Sequence, residues 1–329
     1  MLPNQDKFEA RCRARGLDDA AYAKALASVV ALRDEAGRRD DDLPSLPVAD
    51  LEAAVARLAA GGQADEAALM ALARYFVVSG RNDAAVRLLA IASPIGILEG
   101  FAGRVEEKAS RDAKDRVMGG VRIPPKGSLP DRYPEATAAF VRALEAELGT
   151  DAAREVLTWN AHGMPAAAYA DEKAAYEAAT TIDEWLAGMH GRLVATLSKH
   201  AADGTLWYEQ RITPPVVEWI KAHPEVQVGV RDGEFIYVSK IPYDVDRWLV
   251  SPDPGERRRL ACHCPLAASS ITAEAAGVPA AWCACSAGYE KFKFDVVFGT
   301  ETECRVVESV LAGAPRCRFA VRIPPDKMK

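Results

Sequence analysis

Two Cys-x-Cys pairs, Cys262-His263-Cys264 and Cys283-Ala284-Cys285, separated by eighteen residues, concentrate the most reactive side chains of the chain. In an extended segment residues i and i+2 face the same side, so each pair can aim two sulfurs at one point. Two such pairs complete a tetrahedral four-sulfur shell, the set that zinc takes in structural sites. The spacing is tighter than that of a C-x₂-C knuckle. Four readings therefore stay open: a divalent metal, zinc first; an iron–sulfur cluster; reactive, metal-free thiols; and buried, chemically idle cysteines. Four thiolates on one zinc close its shell and make it structural, whereas three leave a position for water or a substrate sulfur. His263 should point away from its flanking sulfurs, with ligation and plain packing both open. Cys304 and Cys317, flanked by Val and Phe, read as small buried hydrophobes, and Cys12 reads as inert.

Other chemistry-bearing residues surround these pairs. Tyr289, Glu290 and Lys291 follow Gly288 directly, so an acid and a base can stand at the mouth of the thiol site. Glu308 lies between Val306, Val307, Val310 and Leu311, where a carboxylate is expected to be partly buried and to have a partner or a task. Glu308 and Glu290 are accordingly the catalytic candidates. Lys240 and Tyr243 flank Pro242 at the end of an expected strand, where a substrate carboxylate could be held. Arg211, closing the strand-like TLWYEQR, is placed with them, and with Tyr289, as a substrate-binding candidate. His162 and His190 read as structural histidines.

The elements that must position these groups fall into two parts. Six of the seven cysteines lie after residue 260 and all six tryptophans at or after Trp159, whereas the first 120 residues are rich in alanine. Leu51, Val55 and Leu58, then Leu69, Leu72 and Phe76, recur at helical spacing, with stops at Gly61-Gly62 and Gly80. Residues 1–130 are expected to form a helical N-terminal domain, and 131–329 an α+β domain with an antiparallel sheet. The charged run 38–42 and the LPSLP after it read as a solvated linker. Thr181 and Glu184 form a capping-box signature ahead of a long helix ending at Gly204. PPVVEWIKAH reads as a short helix opened by proline, and residues 226–241 as a hairpin turned at Asp232-Gly233.

With 49% hydrophobic residues and a net charge of −6, the chain has material for a large core and no basic footprint for nucleic acid. Its longest apolar stretch, 88–102, is interrupted by Pro94 and Glu99 and is too short to span a bilayer. A cytoplasmic protein without nucleic-acid or membrane partners is expected, in which seven cysteines are not structural disulfides.

From about residue 160 to 324 the chain resembles the L-2-amino-thiazoline-4-carboxylate hydrolase-like family, a group of bacterial proteins. The resemblance rests on IDEWL at 182–186, KIPY at 240–243, CHCP at 262–265, CACSAGYEKFKFDVVFG at 283–299 and CRFAVRIP ending at 324. The last segment is also similar to the vinyl-reductase-type ligand-binding domain. Membership implies an α+β small-molecule-binding fold and hydrolytic opening of a cyclic, sulfur-containing amidine. The expected function is thus a metal-dependent enzyme on a small sulfur- or nitrogen-containing molecule, hydrolysing a C–N or C–S bond, with Cys262, Cys264, Cys283 and Cys285 as ligands. A non-enzymatic small-molecule sensor with structural zinc and an iron–sulfur redox protein are the alternatives.

Overall fold

The computed structural model describes residues 2–271 and 277–329. Contacts divide the chain into two compact units, Met1–Leu98 with Arg122–Ala136, and Glu99–Val121 with Thr137–Lys329.

The first unit is helical: α1 (Gln5–Ala14), α2 (Asp19–Glu35), α3 (Val48–Ala60), α4 (Glu66–Val78) and α5 (Asn82–Ala92). Asp18 and Asp65 cap α2 and α4 by accepting the amides of Ala21 and Ala68, both at 2.8 Å. Leu51, Val55, Leu58, Leu69, Leu72 and Phe76 are all buried in one core, as their helical spacing requires. The charged run is not a solvated linker. Asp40–Ser45 forms a 3₁₀ turn, Arg33 holds Asp40 at 2.5 Å, Arg38 holds Asp50 at 2.9 Å, and Leu43 and Leu46 enter the core. Opposite charges within and beside the run pair instead of repelling, and Pro44 suits the tight turn.

The second unit begins inside the stretch that the sequence assigned to the helical domain. α6 (Ile97–Lys108) and α7 (Arg111–Met118) follow α5, and the ring of Phe101 meets those of Phe140, Trp159 and Trp282 at 5.5–6.3 Å. Aromatic rings need a partner core, and helical periodicity does not say which core that is. The span 82–108 is apolar enough by composition to cross a membrane, but half of its most apolar window is buried in the fold and a turn at 93–96 splits it in two.

After α8 (Pro134–Leu148), α9 (Thr150–Leu157) and α10 (Ala170–Ala178) comes α11 (Ile182–Asp203), the long helix. Thr181 caps it at Glu184 N (3.1 Å), and Glu184 returns its carboxylate to the amide of Thr180 instead of Thr181. TLWYEQR is not one strand but a minimal hairpin, β1 (Leu206–Trp207) and β2 (Gln210–Arg211), turned through Tyr208 and Glu209. Tyr208 has φ +52 and is 77% exposed. α12 (Pro214–Ala222) is the proline-opened helix.

The main sheet is antiparallel in the order β3-β4-β6-β5, built from β3 (Val230–Asp232), β4 (Phe235–Ser239), β5 (Cys304–Glu308) and β6 (Arg318–Arg322). The β3–β4 turn uses Gly233-Glu234, one residue later than expected, because Asp232 pairs with Phe235 and Gly233 takes the positive φ of +58. Ile236, Val238 and Val321 point from this sheet into a core shared with Trp185 of α11 and with Phe294 and Phe298 of α15 (Ala284–Phe298). Burying each of those phenylalanines contributes roughly 1.5–3 kcal/mol. Between β4 and α15 run α13 (Val245–Val250) and α14 (Pro254–Ala261), the latter ending at Cys262. The unit is α+β.

Candidate functional site

Cys262 follows the end of α14 in extended conformation (φ −81, ψ 121), as the spacing argument assumes. The second pair does not. Cys283 closes a 3₁₀ turn and Cys285 lies in the first turn of α15, and helical residues two apart diverge instead of sharing a side. Cys283 therefore turns toward Cys317 and Cys262, while Cys285 turns toward His162. Cys317, read from sequence as a packing residue, joins Cys262, Cys264 and Cys283 in the wall of a cavity of about 20 Å³. That volume holds roughly one water or one ion. Lys240, His263, Trp282 and Ser286 also line it, among apolar neighbours.

Two of the four sulfurs of this ring accept a directed hydrogen bond from a neighbouring side chain. Cys264 accepts the Trp282 indole N–H (3.2 Å). Cys283 accepts the Ser309 hydroxyl (3.0 Å), whose oxygen already accepts the amides of Leu311 and Ala312, so its hydrogen is directed at sulfur. Cys283 and Cys317 stand close enough for their thiols to share a hydrogen. That shared hydrogen bond, before burial, pushes the Cys283 thiol up and holds Cys317 below the usual thiol range. Among the described residues no three His, Cys, Asp or Glu side chains stand in the arrangement of a metal shell.

Lys240 reaches the ring from the end of β4. Burial alone would lower its pKa, but Glu290, then Cys317, Tyr289 and Cys264, outweigh burial and hold it above the usual lysine value. Its ammonium lies over the Tyr289 ring, 5.4 Å from the centroid. His263 does not face away. It lines the cavity, and its Nε2 sits 2.6 Å from the Ile241 carbonyl oxygen, which can only accept. Nε2 therefore carries the hydrogen and Nδ1 keeps a lone pair. Burial, with Lys240 behind it, pulls the His263 pKa down to about 3, so the ring is neutral.

Tyr243 packs edge-on to His263 (5.3 Å) and donates to Glu209 at 3.1 Å. Sequence reading missed Glu209, because a carboxylate in a strand-like segment gives no sign that a tight hairpin will carry it inward. The left-handed φ of neighbouring Tyr208 is such a sign in the structure. A bulky residue held there costs about 1–3 kcal/mol, and such residues cluster at functional sites. Burial raises the Glu209 carboxyl, opposed by the Tyr243 hydroxyl. A group with a raised folded pKa favours folding while protonated, and the advantage is lost as pH climbs from the ordinary 4.5 through the raised folded value. Wild-type stability is therefore expected to fall across that window relative to Glu209→Gln. Urea titrations giving parallel pH curves for the two proteins would contradict it.

The remaining candidates separate. Glu290 is 3% exposed on α15, and its Oε1 has no hydrogen-bond partner. Tyr289 is half-buried beside Lys240 and His162. Glu308 is exposed, against expectation. A β-bulge between Val306 and Glu308 puts Val307 and Glu308 both outside, and Glu308 pairs in register with Arg318. Arg211 is exposed on β2 opposite Leu206 and joins none of these groups. Lys291 is committed to Asp295 (2.7 Å). His190 is the satisfied structural histidine expected, bonded to the Ile220 carbonyl.

Comparison with protein-family models, with curated proteins and with solved structures gave no match. The functional reading therefore rests on the side chains themselves.

Proposed function

We propose that this protein is a small-molecule enzyme whose second unit is built round a closed thiolate metal centre, with Cys262, Cys264, Cys283 and Cys317 as ligands and zinc as the metal. The supporting observation is the meeting of four sulfurs in the wall of one ion-sized cavity, with the Trp282 N–H directed at Cys264 and the Ser309 O–H at Cys283. A neutral thiol is a weak acceptor, so such donors have little to gain unless the sulfurs become thiolates. Donors of this kind are what orient and tune metal-bound thiolates. Lys240 supplies a positive charge against the excess negative charge of four thiolates, and the cavity has room for one ion. Closing the shell replaces the Cys283–Cys317 hydrogen bond with two metal–sulfur bonds. Cys285, turned to His162 and outside the cavity wall, leaves the set.

Four thiolates leave zinc no open position, so the metal is structural and the reaction belongs to its surroundings. The groups beside the ring suit an anionic substrate with a hydrolysable C–N or C–S bond: the Lys240 cation, the Glu209–Tyr243 pair and the buried Glu290. Metal analysis of anaerobically purified protein is expected to find about one zinc per chain, kept in Cys285→Ser. The visible absorption of a thiolate-bound iron cluster would replace zinc with the iron–sulfur reading. Protein free of zinc and iron would overturn the proposal.

A further inference from the structure

The sulfur that the ring leaves out stands against a base. Cys285 Sγ lies 3.8 Å from His162 Nε2, within hydrogen-bonding reach for sulfur. The histidine is held from three sides. Its ring meets the edge of Tyr289 at 5.6 Å and 89°. Asn160 closes its loop by exchanging two hydrogen bonds with Met164, at 2.9 and 3.0 Å. The backbone of Trp159 runs so close over Gly288 that a Cβ there would lie 2.2 Å from the Trp159 nitrogen. Gly288 stands one turn after Cys285, so this approach sets the loop, and His162 with it, over the thiol. Burial, with Lys240 behind it, lowers the His162 pKa to about 4, and burial raises the Cys285 thiol, opposed by Lys240, so the resting pair is a neutral imidazole and a neutral thiol. Part of His162 stays at the surface and Cys285 is buried, which puts the pair at the boundary between solvent and core.

We propose that Cys285 and His162 are the nucleophile and base of an acyl-transferring site, and that Lys240 attracts an anionic group of its substrate. His162 Nε2 takes the thiol proton as Cys285 Sγ forms a bond to the electrophilic carbon. The bond from that carbon to the leaving nitrogen or sulfur breaks, and His162 passes the proton to the leaving atom. Water then attacks the enzyme-bound carbon, His162 accepts its proton, the carbon–sulfur bond breaks, and the proton returns to Cys285. The proposal rests on the enzyme reading above but not on the metal.

Iodoacetate, iodoacetamide and p-nitrophenyl acetate, applied to the native full chain with peptide mapping by mass, test it. Cys285 should be alkylated first among the cysteines, and the ester should leave an acetyl group on it. His162→Ala should slow labelling at least about a hundredfold, the lower end of what a positioned base contributes. Asn160→Ala, which only loosens the loop, should slow it less. Lys240→Met should selectively slow the anionic reagent. Cys285 reacting no faster than Cys304, or at an unchanged rate in His162→Ala, overturns the dyad. A zinc-bearing protein with an inert Cys285 removes this inference alone, and a zinc-free protein with a reactive Cys285 removes the metal alone.

Discussion

Replacing Cys264 with serine is expected to strip the metal and to cost at least about 3 kcal/mol of stability, because metal binding and folding share one free energy. Structural zinc supplies roughly 10–16 kcal/mol to zinc-finger peptides, and a domain with its own apolar core needs only part of that. The serine hydroxyl still accepts the Trp282 indole N–H, which at 3.2 Å now serves the sulfur, so the loss is not that of an orphaned buried donor. Urea unfolding with and without a chelator separates the contributions. Wild type should drop toward the mutant when chelated, and Cys264→Ser should be indifferent to the chelator. Equal midpoints for wild type, mutant and chelated protein would leave the donors round the sulfurs without a metal to serve.

Gly288→Ala is expected to be nearly as damaging for a different reason. The added methyl would lie 2.2–2.3 Å from the backbone nitrogen and oxygen of Trp159, and main chain has no rotamer by which to yield. Either α15 or the loop must move, at the upper end of overpacking costs, about 3 kcal/mol. The same movement carries His162 off Cys285, so stability and labelling should fall together. Gly191→Ala in α11 is the matching control. Its methyl would meet nothing within 4 Å, and alanine's helix propensity should stabilise the protein by about 0.5–1 kcal/mol. A Gly288→Ala protein as stable as wild type would mean that the loop has room to withdraw.

Where a signal is local, the amino-acid order carried it. The 3.6-residue apolar spacing of α3, α4 and α11, the Thr181 cap and the proline start of α12 depend on residues within a turn of one another, and all stand in the structure. So do the antiparallel sheet and the concentration of cysteines in the second unit. The misreadings come from places where a local pattern has two geometric outcomes. Charges 38–42 repel if solvated and pair if packed, and here they pair. Glu308, framed by valines, reads as buried only if strand alternation is unbroken, and one bulge sends it outside.

The cysteines mark the same boundary most sharply. Composition gathered the thiols in the second unit, and sequence adjacency set Tyr289 and Glu290 on the helix that carries Cys285. Which sulfurs face one another was decided only in three dimensions. A Cys-x-Cys pair converges when extended and diverges when helical, and the helix starting at Ala284 settles that choice for Cys283 and Cys285. β6 then delivers Cys317, fifty-three residues beyond Cys264, to the place left open, and a loop more than a hundred residues earlier brings His162 to the sulfur turned away. Those meetings follow from chain crossings and strand register, which no short-range pattern encodes.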